Sequence, residues 1–184
     1  FLDRSVPMAD VRPFRALRPR DDLASAIIAL PYDVVDEAEA RALCENRKSF
    51  LRVTRSEVDL PEGTDSHSDL AYQKARENLE AFRAAGWMQK DDEATYYLYG
   101  QTMGDHHQVG VIAACSVAEY DRGDIAKHEF TRPDKEDDRT HHMDVLNAQV
   151  GLVFLAYRSQ PLVDGLIDAL TDAPPAWSVT TEDG

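Results

Sequence analysis

The sequence predicts a mixed α+β domain in which a sheet containing a β-hairpin is flanked by helices. Three observations carry that reading. Ala71, Ala75, Leu79 and Phe82 recur at helical spacing. Two β-branched and aromatic stretches, residues 95–103 and 108–120, flank the polar break Gly104-Asp105-His106-His107. Residues 135–150 then return to a helical repeat.

Taken in order, residues 25–30 form a short apolar run closed by Pro31, the pattern of a buried strand entering the loop Pro31-Tyr32-Asp33. Asp36 can cap a helix running through Arg41 to Asn46, because its carboxylate accepts from the unpaired amides of a first turn. Residues 49–54 return to aromatic and β-branched side chains with Phe50 and Arg52 on one face, so the pattern up to here is β-α-β. Residues 57–68 carry Pro, Gly, Thr, Asp and Ser and predict a polar surface loop, more mobile than its neighbours. In the long helix that follows, Arg76, Glu77 and Glu80 lie off the apolar stripe and Gly86 supplies the C-cap.

Within 108–120, Gly110, Ile112, Ala114 and Ser116 alternate with Val109, Val111, Ala113, Cys115 and Val117. Neither face is charged, which predicts that both are covered. At about 100° per residue the helix 135–150 sets Arg139, His142, Met143, Leu146 and Val150 in one arc, so Arg139 and His142 share its buried edge. Residues 151–157 read as an apolar strand, 161–170 as a helix with Pro161 in its first turn, and 177–180 as the start of another strand.

Composition narrows the function. With 34 acidic against 20 basic side chains and a net charge of −14, a nucleic-acid partner is not expected. The most basic stretch, residues 12–20, is interrupted by apolar residues and followed by Asp21 and Asp22. No run approaches the roughly 18 apolar residues of a membrane span, and residues 1–9 lack the charged start and apolar centre of a signal peptide, so the expected compartment is the cytoplasm. Residues 1–7 read as an upstream extension before Met8, and 8–184 as a single α/β domain, the N-terminal part of a longer protein. Cys44 and Cys115 have no CxxC spacing and read as buried thiols.

The segment Lys127 to Arg139 concentrates charge between an apolar run and a helix, the position where binding groups gather. His128 and Glu129 are adjacent, and on an extended chain they face opposite ways, so no metal site is expected from them. There is no HExxH, GxxxxGK[ST], GxGxxG or GxSxG spacing. His106 and His107 read as solvated turn residues, and Lys135 as a solvated residue of a helix start. Arg139 on an apolar face needs an acceptor, which is either a bound anion or a carboxylate such as Asp138, Glu129 or Asp33.

The motifs Arg12-Pro13-Phe14-Arg15-Ala16-Leu17, Pro31-Tyr32-Asp33-Val34-Val35, Ser49-Phe50-Leu51-Arg52-Val53, Tyr97-Leu98-Tyr99, and His128-Glu129-x-Thr131 followed by Asp138-Arg139 occur in order across residues 8–154. Together they resemble the DUF1015 family. The resemblance implies a relation to the ParB and sulfiredoxin fold, which includes kinases acting on free serine. The activity implied is a nucleotide-dependent phosphotransferase on serine or a similar small metabolite, using ATP or ADP with Mg²⁺. A non-catalytic regulatory module binding a nucleotide or metabolite is the alternative, and an interaction domain whose ion pairs only stabilise a loop is a third. A Gly-His-His-Arg segment that the family carries further on is not found here, and its role is not transferred to His106-His107.

On the kinase reading, His128, Glu129 and Asp33 are the expected catalytic groups, as base, hydroxyl orienter or oxygen ligand of Mg²⁺. Arg139, Thr131, Arg52, Tyr32 and Asp138 are the expected ligand- and phosphate-binding groups. The expected partners are a small-molecule substrate and a second copy in a homodimer.

Overall fold

The computed structural model describes residues 9–127 and 130–180. His128 and Glu129 lie outside the described residues. The chain begins with two short strands, β1 (Val11–Arg12) and β2 (Leu17–Pro19), followed by three helices, α1 (Ala24–Ile27), α2 (Glu37–Leu43) and α3 (Leu51–Thr54). The long helix α4 (Asp69–Ala84) leads into β3 (Met88–Lys90), β4 (Tyr97–Met103), β5 (His106–Ile112) and β6 (Ala114–Cys115). Helices α5 (Val117–Arg122), α6 (Pro133–Leu146) and α7 (Pro161–Thr171) complete it. The mixed α+β class is as the sequence predicts, with antiparallel pairs β1–β6, β2–β3 and β4–β5.

The long helix forms for the reasons visible in its sequence. Ser68 caps it, its hydroxyl accepting from the Ala71 amide at 3.3 Å, and Ala71, Tyr72, Ala75, Leu79 and Phe82 are its buried face. At the other end Gly86 adopts φ +66°, with Trp87 N donating to Phe82 O and Gly86 N to Arg83 O, both at 3.0 Å. These two bonds are those of a Schellman stop, and the Phe82 and Trp87 rings pack 5.1 Å apart across it. Helix α6 starts with Pro133 at its first turn, where the missing amide costs nothing, and stops at Asn147 with φ 48°, short of Val150.

The core lies among the helices. Val53 of α3, Ala75 and Leu79 of α4 and Leu146 of α6 form one cluster, and Ile27, Phe82 and Met88 another. Each fully buried aliphatic side chain of this kind contributes about 1.5–3 kcal/mol.

Several elements differ from the sequence reading. Residues 25–30 are not a strand: Ala24 and Ile27, three apart, are buried on one turn of α1, and the chain turns extended at Ile28. Within residues 49–54 the chain turns at Phe50 into helix α3, so the β-α-β reading is replaced by three short helices. Leu51 and Val53 are both 0% exposed, and the Phe50 amide donates to Ile27 O at 2.9 Å. Short apolar runs fit either period, and here packing against α4 selects the helix.

The hairpin is present, but its turn is Gly104-Asp105 alone, and His106 and His107 stand in β5 opposite Met103 and Thr102. Strand pairing in β5 ends at Ile112. Residues 117–122 are helix α5, capped by Ser116, whose hydroxyl accepts from the Glu119 amide. This is the Ser-x-x-Glu signature of a helix start. The hairpin faces are not covered: Tyr99, Val111 and Met103 are 41%, 39% and 78% exposed. Cys115 is likewise exposed, while Cys44 is buried as expected. Residues 151–157 and 177–180 are in no strand. An apolar run encodes a strand only where an edge offers its hydrogen bonds. Among the described residues no helix is long and apolar enough to cross a membrane.

Candidate functional site

The N-terminal end of α4 and the first three turns of α6 enclose an open cleft lined by His67, Asp69, Tyr72, Asp134, Lys135, Asp137, Asp138 and His141. Asp138 is its centre. Its side chain is 8% exposed, and three side chains converge on its oxygens. Oδ1 accepts from Tyr72 Oη at 2.5 Å and from His67 Nδ1 at 2.6 Å, and Oδ2 accepts from Arg139 Nε at 2.7 Å. Burial alone would raise this carboxyl. The hydrogen bonds from Tyr72, His67 and Arg139, with the Arg139 charge, outweigh it and bring the pKa down to about 2.

An ionised carboxylate only accepts, so the proton in the contact with His67 sits on Nδ1. When the ring is neutral, Nε2 carries the lone pair, and it has no hydrogen-bond partner among the described residues. The Tyr72 phenol is held protonated, its pKa raised by burial and by the hydrogen bond to Asp138. The His141 ring meets the Tyr72 ring edge-on at 4.6 Å, and its Nε2 lies 3.5 Å from Asp69.

Helix capping explains why His67 and Tyr72 meet. With Ser68 at the N-cap, His67 occupies the position before it and Tyr72 the fourth helical position, the pair that closes over a helix start. Here the pair shares a carboxylate of α6 instead of an apolar contact. On α6, His142 lies one turn on from Asp138 and is 4% exposed, its Nε2 donating to Val53 O at 3.2 Å. Burial pushes its pKa below the ordinary value and keeps the ring neutral.

The expected site residues fall into three groups. Asp138, Arg139 and Tyr32 come together: the Arg139 guanidinium stacks 4.4 Å from the centre of the Tyr32 ring while it holds Asp138. Arg52 is engaged elsewhere, in an ion pair with Asp59 and a 3.2 Å bond to Cys44 O. Asp59 is held in turn by Asn78 Nδ2 at 2.8 Å. Asp33 is exposed on its loop, and Thr131 donates to Glu136 at 2.6 Å. His128 and Glu129 lie outside the described residues. His67 and Tyr72 were not singled out from the sequence, although the Ser68 cap is the signal that pairs them.

The family model described as a protein of unknown function, DUF1015, matches residues 11–184. The chain belongs to the DUF1015 family. No curated protein and no solved structure matches it. In this DUF1015 chain the family match takes in the whole cleft, together with the loop that carries Tyr32.

Proposed function

We propose that the cleft binds a small polar metabolite and that the Asp138–His67 pair accepts the proton of its hydroxyl, as the acceptor side of a phosphotransferase acting on free serine or a similar compound. The observation that supports this most directly is the His67 ring: Nδ1 is fixed on an ionised carboxylate and Nε2 is left without a partner at an open cleft. A base placed in this way contributes on the order of 10²–10⁴-fold to a hydroxyl's reactivity. Four aspartates against one lysine line the cleft, a balance that favours a substrate carrying an ammonium group.

Of the nucleotide half of that reaction the described residues show only that the Nε and Nη2 donors of Arg139 are turned onto Asp138. ATP or ADP with Mg²⁺ therefore enters the proposal through family resemblance alone. One observation favours the second reading, a binding module without turnover: Arg139 is locked between Tyr32 and Asp138, which makes a rigid wall and not a phosphate clamp.

The test is mass-spectrometric detection of phosphorylated product after incubation with Mg²⁺, ATP or ADP and a panel of amino acids. Phosphoserine formed by the protein and reduced at least about 100-fold in His67→Asn supports the base role. Undiminished product in His67→Asn removes that role, and serine binding by calorimetry with no product favours the module.

A further inference from the structure

Arg55 lies outside the cleft, yet it holds the loop that carries Tyr32. Its Nη1 donates to the carbonyls of Tyr32 at 2.9 Å and Val35 at 2.6 Å. Its Nε is fixed at 2.5 Å by the Glu57 carboxylate, whose side chain is 5% exposed. A guanidinium surrounded in this way keeps one orientation, because turning it would strand acceptors that are largely out of water. Val35 anchors the same loop in the apolar cluster with Ala40, Cys44 and Leu51. The loop is thus fastened by one apolar and one polar hold.

We infer that Arg55 is a positioning residue for the cleft. By clamping the carbonyls of Tyr32 and Val35 it sets the Tyr32 ring against Arg139, which fixes the Asp138 carboxylate that holds His67. The backbone is the handle, since the Tyr32 hydroxyl makes no hydrogen bond among the described residues and the residue is 37% exposed. Cation–π attraction at a partly exposed ring is weak, so the stacking geometry depends on both partners being held from behind. Asp138 holds one partner and Arg55 the other. The functional weight of this relay rests on the reading of the cleft given above, whereas its geometry does not.

The side-chain Nε–H resonance of Arg139 in ¹⁵N-labelled protein reads the relay directly, because an aromatic ring facing the guanidinium displaces it. In Arg55→Ala the signal is expected to lose that displacement and move toward its position in Tyr32→Leu, with the backbone amides of α4 and α6 unmoved. Arg55→Lys keeps the charge beside Glu57 and donors for the two carbonyls, and is expected to restore part of the displacement. A signal that moves in Tyr32→Leu but stays in place in Arg55→Ala overturns the inference. Should Arg55→Ala fail to fold, Glu57→Gln decides: an Arg139 signal that loses part of the ring displacement supports the relay, and one that keeps all of it overturns the inference. No substrate is needed, so failure of the phosphotransfer assay leaves this result standing, and the reverse also holds.

Discussion

In the helical layer Leu79 and Val53 are 1% and 0% exposed, whereas Phe154 and Leu166, in the stretch that ends with α7, are 79% and 57% exposed. Both regions are rich in apolar side chains, and α7 even carries Leu162, Leu166 and Leu170 at regular four-residue spacing. The difference is one of partners. Helices α3, α4 and α6 converge and bury one another's stripes, while α7 has no buried residue. Helical propensity and pattern make an element, and a facing surface makes a core. The candidate cleft belongs to the packed region, where α4 and α6 are held firmly enough to aim three donors at one carboxylate.

The contrast is broken or sharpened most by truncating one residue in each region. Leu79→Ala is expected to cost about 2–5 kcal/mol in urea unfolding, and Leu166→Ala no more than about 0.5 kcal/mol. Equal losses would contradict the contrast. Tyr72→Phe comes next: removing one donor from Asp138 is expected to cost about 1–3 kcal/mol and to raise the Asp138 pKa, followed by carboxyl NMR titration.

Acid sharpens the comparison again through two buried groups of α6, Asp138 and His142. The folded pKa of Asp138 is lowered from 3.8 to about 2. Its stabilisation, about 2 kcal/mol, is therefore complete above pH 3.8 and is lost as the pH falls toward 2. Asp138→Asn should flatten that part of the stability profile. His142 is held below its ordinary 6.5 by burial, so its contribution is present above pH 6.5 and declines as the pH falls below it. His142→Gln, which keeps a donor for the Val53 carbonyl, should remove this earlier decline. The smallest effect is on reactivity: Cys115 is exposed and should label with a thiol reagent in the native state. Cys44 is buried, with its pKa pushed up by that burial, and should label only on unfolding.

Much of the packed region was legible in the sequence. Asp36 and Gly86 announce helix ends through capping chemistry that acts over a few residues, and the 71–82 stripe names its own buried face, whereas the Ser68 cap lay unread at the end of the polar loop 57–68. Residues 25–30 and 49–54 were not legible, because four to six apolar residues fit a strand or a turn of helix equally and a distant element decides. The strand expected at 151–157 did not form because, among the described residues, no strand pairs with this apolar run. In the site, Asp138, Arg139 and Tyr32 were visible as charged or aromatic residues in motifs. His67 was hidden in a polar loop, since its meeting with Asp138 spans 71 residues of sequence and is created only by the packing of α4 on α6.

The most direct test of the account is the tautomer of His67, read from long-range ¹H–¹⁵N couplings at about pH 8, where an ordinary imidazole is neutral. The proton is expected on Nδ1, donated to Asp138, with Nε2 carrying the lone pair toward the cleft. A proton resident on Nε2 would contradict the arrangement on which the proposed base rests.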